Sequence, residues 1–188
     1  QSRRVFERSI VASLADTENA TSVGYNLRAL RSAASAVRER LSLEQWNVIV
    51  RAEQEFFRGC AMATEDGEFS SVEAIRVLEA LLGATAAMTG AQTDRMTRDD
   101  GWRLLSTGRH LERLGFLAQA LACAFSTGAV HDESGFEALV ALFDSTITFH
   151  AQYQQRHDIT ALVDLLVLDR DNPRSLGWVA QTLRGRLA

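Results

Sequence analysis

The sequence predicts an all-α protein, and three observations lead to that expectation. Apolar residues recur at helical spacing along nearly the whole chain, and helix-start signals precede those runs. The 188 residues contain a single proline, Pro173, and too few turn residues for a sheet protein. With 46% apolar side chains, the length suits one domain with a real core.

The pattern predicts helices over 2–14, 20–41, 43–58, 71–90, 98–125, 135–156, 159–168 and 173–187. In the second of these, Val23, Leu27, Leu30, Ala34, Val37 and Leu41 step by four and three along one face, with Asn19 as the expected N-cap. Four further starts read as capping boxes: Ser42 with Gln45, Ser70 with Glu73, Thr97 with Asp100, and Ser134 with Glu137. For the last helix, Asn172 is the expected N-cap and Pro173 the first helical residue, where a missing N–H costs nothing. The joints at Thr64-Glu65-Asp66-Gly67 and from Ser126 to Asp132 are too short to link independent domains.

One segment occurs twice. Asp16-Thr17-Glu18-Asn19-Ala20-Thr21-Ser22-Val23-Gly24-Tyr25 returns as Asp169-Arg170-Asp171-Asn172-Pro173-Arg174-Ser175-Leu176-Gly177-Trp178, an offset of 169 − 16 = 153 residues. Arg3 falls on Arg156 and Leu30-Arg31 on Leu183-Arg184 at the same offset, so the match extends in both directions. The expectation is a multi-helix bundle with an internal pseudo-twofold duplication. Because the first copy begins so near residue 1, residues 1–188 are expected to be the C-terminal part of a larger helical domain whose N-terminal portion is missing.

A net charge of −4 without a basic block argues against an electrostatically driven nucleic-acid or membrane-surface role. No apolar run is expected to approach the roughly 20 residues that span a bilayer. Cys60 and Cys123 have no CxxC partner and read as reduced, buried thiols, which makes the cytoplasm the expected compartment.

The densest group of functional side chains lies on the helix that follows Asp99. At 3.6 residues per turn, Trp102, Leu105, Arg109, Glu112, Arg113 and Phe116 fall within an arc of roughly 100°. Arg109 is spaced to meet Glu112 at i,i+3 and Arg113 at i,i+4, which leaves one positive charge to spare for an anion. A solvated salt-bridge ladder is the competing reading, worth at most about 1 kcal/mol. The apolar flanks favour a shielded Glu112 bonded to arginine, because an unpaired buried carboxylate would cost several kcal/mol. Asp171, Asn172, Arg174 and Ser175 of the second repeat are candidates to complete that network, although the same residues also serve simply to start a helix.

Other chemistries find no support in the sequence. None of His110, His131, His150 and His157 has a Glu three residues before it, so the paired Glu-x-x-His motifs of di-iron bundles are missing. There is no His-Glu-x-x-His zinc motif, Gly-x-Ser-x-Gly elbow, P-loop or dinucleotide fingerprint. No catalytic residue and no metal ligand is therefore expected, and His150 and His157 read as satisfied polar residues.

Four segments together resemble the alpha-E family of bacterial helical proteins, named for a Glu-Arg pair. They are Ala36-Val37-Arg38-Glu39-Arg40-Leu41-Ser42 leading to Trp46, Met96-Thr97-Arg98-Asp99-Asp100-Gly101-Trp102-Arg103, Gly108-Arg109-His110-Leu111-Glu112-Arg113, and Leu168-Asp169-Arg170-Asp171-Asn172-Pro173-Arg174-Ser175. In the family an earlier Gly-Arg-x-x-Glu-Arg segment exists, whose glutamate the offset would place at 112 − 153 = −41, outside this chain. The first repeat departs from the family in carrying Thr17 and Ala20 where prolines are usual. The resemblance implies an accessory domain encoded beside, or fused to, a circularly permuted ATP-grasp ligase, often near a transglutaminase-like protein. It would work in ATP-dependent peptide or amide-bond formation, with ATP and magnesium belonging to the ligase and no cofactor to this chain. An autonomous enzyme acting on peptides and a purely structural scaffold are the alternatives.

Overall fold

Helix-forming sequence and side-chain caps account for the architecture. The computed structural model describes residues 2–62, 71–153 and 157–187, and of the first helix it describes the side chains of Val5 and of Arg8 onward. Among the described residues there is no strand: α1 (Ser2–Leu14), α2 (Val23–Ala36), α3 (Leu43–Met62), α4 (Ser71–Asp94), α5 (Asp100–Ser126), α6 (Glu133–Leu142), α7 (Thr146–Tyr153), α8 (Ile159–Val163) and α9 (Leu176–Leu187) follow in order. Single 3₁₀ turns at Arg38–Arg40 and Ala129–His131 and a π-helical turn at Asp164–Leu168 complete the set. The chain divides into two compact units, Gln1–Met96 and Thr97–Ala188.

In the first unit α2 packs on α3, α3 on α4 and α1 on α4. Its core is built from Leu27 and Ala34 of α2, Ile49, Ala52 and Phe56 of α3, and Met88 of α4. Glu53 is buried among them, and its carboxylate is satisfied by the Arg31 guanidinium. The helix expected to reach residue 41 ends at Ala36 instead. There the Arg38 guanidinium donates to the Leu41 carbonyl at 2.9 Å and lies 5.3 Å from the Trp46 ring centroid, which turns the chain aside. The Ser42 box then starts α3 as expected, with the Gln45 amide on Ser42 Oγ at 3.1 Å and the Ser42 amide on Gln45 Oε1 at 3.0 Å.

The expectation that no segment is long and apolar enough to cross a bilayer needs correction. By length and composition α4 qualifies, with a mean hydropathy of 1.3 over its most apolar window. It packs on α3 while exposing Val72, Ile75 and Leu82.

In the second unit Leu162, Leu165, Leu166 and Val179 are fully buried, beside Leu117 and Leu121 of α5, Phe136 and Val140 of α6, and Phe149 of α7. Two of the capping boxes are replaced there by aspartates. Asp99 accepts from the Trp102 amide at 3.0 Å, and Asp132 accepts from the Gly135 amide at 3.1 Å and from the Ser134 hydroxyl. A carboxylate at the N-cap also favours the positive end of the helix dipole, which is why Thr97 and Ser134 lose the competition. The box at Ser70 lies outside the described residues.

A helix expected over 135–156 is interrupted. Asp144 adopts φ 47°, a left-handed conformation that Asp tolerates better than most residues, and separates α6 from α7. Neither Cys60 nor Cys123 is in a disulfide; Cys60 is partly buried, and burial pushes its thiol up from the ordinary range. Cys123 is exposed, contrary to the sequence reading.

The duplication reaches individual hydrogen bonds. In the first copy Asp16 Oδ1 accepts from the amides of Glu18 at 2.8 Å and Asn19 at 3.2 Å; in the second, Asp169 Oδ1 accepts from those of Asp171 at 2.8 Å and Asn172 at 3.2 Å. The Thr21 amide bonds Asn19 Oδ1 at 3.0 Å, as the Arg174 amide bonds Asn172 Oδ1 at 3.0 Å. The Ser22 and Ser175 hydroxyls donate to the carbonyls of Asp16 and Asp169, and accept from the amides of Tyr25 and Trp178, both at 3.0 Å. Serine, not asparagine, is therefore the N-cap in both copies, and each helix starts three residues later than expected. Pro173 lies in the preceding turn. The shared glycine has the same cause twice: a Cβ on Gly24 or Gly177 would come within 2.9 Å of a backbone carbonyl oxygen of the segment entering the loop.

Candidate functional site: an arginine cluster where two motif segments meet

The second motif segment is a rigid loop. Asp169 gathers two amides on one carboxylate oxygen, and Asn172, 6% exposed, donates its Nδ2 to the Leu165 carbonyl at 3.1 Å. The π-helical turn Asp164–Leu168, closed by the Asp169 amide on the Asp164 carbonyl at 2.9 Å, lies directly before it. Tyr153 braces this turn by donating its hydroxyl to Asp164 Oδ2 at 2.5 Å. That bond, with a smaller contribution from burial, raises the Tyr153 phenol to about 12. Because the folded state keeps the proton, the bond's stabilising effect is intact below the ordinary tyrosine value near 10 and fades as pH rises towards 12. Spectrophotometric titration should find Tyr153 ionising about two pH units later than a free tyrosine, with Asp164→Asn bringing it back towards 10.

The loop delivers α9 onto α5. The His110 ring lies 5.9 Å from Trp178, while the Arg186 guanidinium lies 4.6 Å from the ring of Trp102, so α9 runs in the opposite direction along α5. The buried face of α5 passes through Trp102, Ser106, Leu117 and Leu121, with His110 Nδ1 on the Ser106 carbonyl at 2.6 Å. On a helical wheel that face is centred roughly 130° from Glu112 and roughly 30° from Arg113, although the Arg113 side chain is itself exposed. Glu112 is accordingly exposed, and among the described residues no hydrogen bond or ion pair joins it to either arginine. The expectation of a shielded Glu112 is not met, because the chosen arc runs beside the packed face. Phe116, the far flank of that arc, is 55% exposed.

The eight expected residues separate by place. Trp102 is buried between the guanidiniums of Arg98 and Arg186, at 4.1 and 4.6 Å from its ring centroid. Eleven residues of helix, about 16 Å, separate it from Arg113. Asn172 and Ser175 are structural parts of the loop, and Asp171 is exposed. Arg109 and Arg174 lie near enough to Arg113 for their charges to act on it, with Arg109 and Arg113 exposed and Arg174 half-buried. Loss of solvent, then the charges of Arg174 and Arg109, push the Arg113 guanidinium below the usual arginine range, against a partial offset from Asp144. Asp144 is bonded to Arg174 at 2.7 Å. Its carboxylate is 83% exposed, so this pair contributes at most about 1 kcal/mol. Sequence reasoning missed Asp144 because the break that presents it carries neither glycine nor proline. Among the described residues, the carboxylate that acts on Arg113 is Asp144, which is bonded to Arg174, and an anion beside Arg113 and Arg174 would add a further negative partner.

Fold and site together define an all-helical domain with a duplicated helix-start loop, whose second copy brings an arginine beside the Glu-Arg segment of α5. The chain belongs to the Alpha-E family, described as a predicted alpha-helical domain with a conserved ER motif, whose family model matches residues 1–188. It is 26% identical over 174 residues to uncharacterized protein Rv2567 of Mycobacterium tuberculosis, and equally to uncharacterized protein Mb2597 of Mycobacterium bovis. Each match covers 92% of this chain and 20% of the relative, so the chain spans about a fifth of the length of the curated relatives it matches. No solved structure matches it.

Proposed function

We propose that the chain is a helical accessory domain of an ATP-grasp-type peptide or amide ligase system, and that Arg113 and Arg174, with Arg109 beside them, receive an acidic group of the ligase, its substrate or a partner. The observation behind this reading is that Arg174 of the second motif segment, bonded to Asp144, acts electrostatically on Arg113 of the Glu-Arg segment, so two family-like segments bring like charges near one another. Packing alone gives no reason to gather guanidiniums, since like charges disfavour one another and desolvation adds to the penalty. In the curated relatives the matched segment is a fifth of a longer chain, which agrees with a domain working beside others. ATP and magnesium belong, in this reading, to the ligase, and a transglutaminase-like protein is a further candidate partner. The cytoplasm is the proposed compartment.

The test is calorimetric titration of an ATP-grasp ligase from the same organism, the proposed partner, into this chain. Arg113→Glu should weaken binding at least tenfold, and added salt should weaken wild-type binding more than that of the variant. Equal affinities and equal salt dependence would remove the cluster from the interface. Turnover of a peptide by the purified chain alone would favour the autonomous enzyme instead.

A further inference from the structure

A second group of ligating side chains lies elsewhere in the Thr97–Ala188 unit. Glu133 and Glu137 stand one turn apart on the same face of α6, the spacing that lets two carboxylates converge. His157, just ahead of α8, joins them: one ligating atom from each of the three residues lies within 4.8 Å of the other two, and His157 Nε2 is 3.9 Å from Glu137 Oε1. Two further observations separate this group from ordinary surface charge. The imidazole is seated edge-on against Phe136, with ring centroids 5.2 Å apart and planes at 83°, so its orientation is set by packing. All three residues also line the wall of one cavity of about 470 Å³, whose other walls include Phe136, Val140, Phe149 and a second imidazole, His150. That volume lies in the range of small-molecule sites.

We propose that Glu133, Glu137 and His157 bind one divalent cation of the zinc class, with its remaining coordination position facing the cavity. Two carboxylates neutralise the ion, and one imidazole shifts preference from magnesium and calcium, which take oxygen ligands, towards zinc and its neighbours. Three protein ligands with one position left open is the arrangement of zinc sites that take an exchangeable ligand. Tetrahedral coordination at about 2.0–2.2 Å brings ligand atoms to roughly 3.3–3.6 Å of one another, so the group must contract by about 1 Å. The three side chains are exposed and can make that adjustment by rotation. His150 lines the same cavity. The site shares no residue with the arginine cluster, so the two proposals stand or fall separately.

Equilibrium dialysis of the full chain against zinc ions tests this, with cobalt(II) absorption reporting the coordination. The expected result is one equivalent of zinc bound in preference to magnesium, intense visible cobalt bands, and at least a tenfold loss of affinity in both Glu137→Gln and His157→Ala. His131→Ala, which removes an exposed histidine elsewhere, should bind as wild type does. Circular dichroism of each variant should match wild type, because the substituted side chains are exposed. Three results would each overturn the site: no saturable zinc binding, binding that survives both substitutions, or a preference for magnesium that ignores His157→Ala. A variant that unfolds is replaced by Glu133→Gln, judged by the same criteria.

Discussion

Leu165→Ala should lower the stability of the Thr97–Ala188 unit by about 2–5 kcal/mol, the range for truncating a leucine that leaves a cavity. Leu165 is completely buried in the π-helical turn, against a core in which Leu162, Leu166 and Val179 are completely buried too. Its backbone carbonyl also receives Asn172 Nδ2 at 3.1 Å, so the side chain and the loop that carries Arg174 are secured at one point. Collapse around the missing methyl groups would disturb that hydrogen bond, which places the expected loss in the upper part of the range. Leu168→Ala, three residues on and 61% exposed, should stay within about 0.5 kcal/mol of wild type. Urea unfolding measures both, and equal midpoints for the two variants would mean that the turn is not part of the core.

Ser175→Ala carries the second large effect, about 1–3 kcal/mol. The hydroxyl is fully buried and serves two backbone groups at once, donating to the Asp169 carbonyl and accepting from the Trp178 amide. Alanine removes an N-cap and leaves a buried carbonyl without its donor, and the second loss adds the desolvation penalty of that group. The duplication makes a further demand. Ser22→Ala breaks the same pair of bonds in the first copy, so it should destabilise in the same direction by a comparable amount. Thermal or urea unfolding of both variants decides the matter, and two neutral substitutions would show that the repeated loop geometry does not stabilise the helices it precedes. Because Arg174 lies between Asn172 and Ser175, Ser175→Ala should also weaken any ligand held by Arg174.

Most helices were legible because their signal is local. Spacing and caps placed α1 and the Ser42 box without tertiary information. Helix starts were less legible where several cap-forming residues compete. Asp169, Asn172 and Ser175 can each cap a helix, and the choice of Ser175 depends on Asp169 folding the loop back so that its own carbonyl meets the serine hydroxyl. The break at Asp144 was hidden for a related reason: the apolar run continues through Phe143 and Phe149, and the left-handed residue between them is an aspartate rather than a glycine. For the candidate site, the arginines proposed to receive an acidic group lie in the motifs that sequence reasoning singled out. It misjudged Glu112 because the packed face of α5 includes the polar residues Ser106 and His110, which helical patterning counts as solvent-facing. His110 is satisfied by a carbonyl four residues back and lies against Trp178, a partner that only the packing of α9 on α5 supplies.

A cationic cluster that binds a partner and one that only packs helices differ in a single paired measurement: unfolding free energy and ligase affinity, both determined for Arg113→Ala. Arg113 is exposed, and partial loss of solvent with the charges of Arg174 and Arg109 holds its guanidinium below the usual arginine range, so little stabilising contact is lost with it. Its removal should therefore leave stability within about 0.5 kcal/mol of wild type, or raise it, while affinity for the proposed partner, an ATP-grasp ligase, falls at least tenfold. A loss of 2 kcal/mol or more in stability, with affinity restored under conditions that restore folding, would contradict the account and make Arg113 a packing residue.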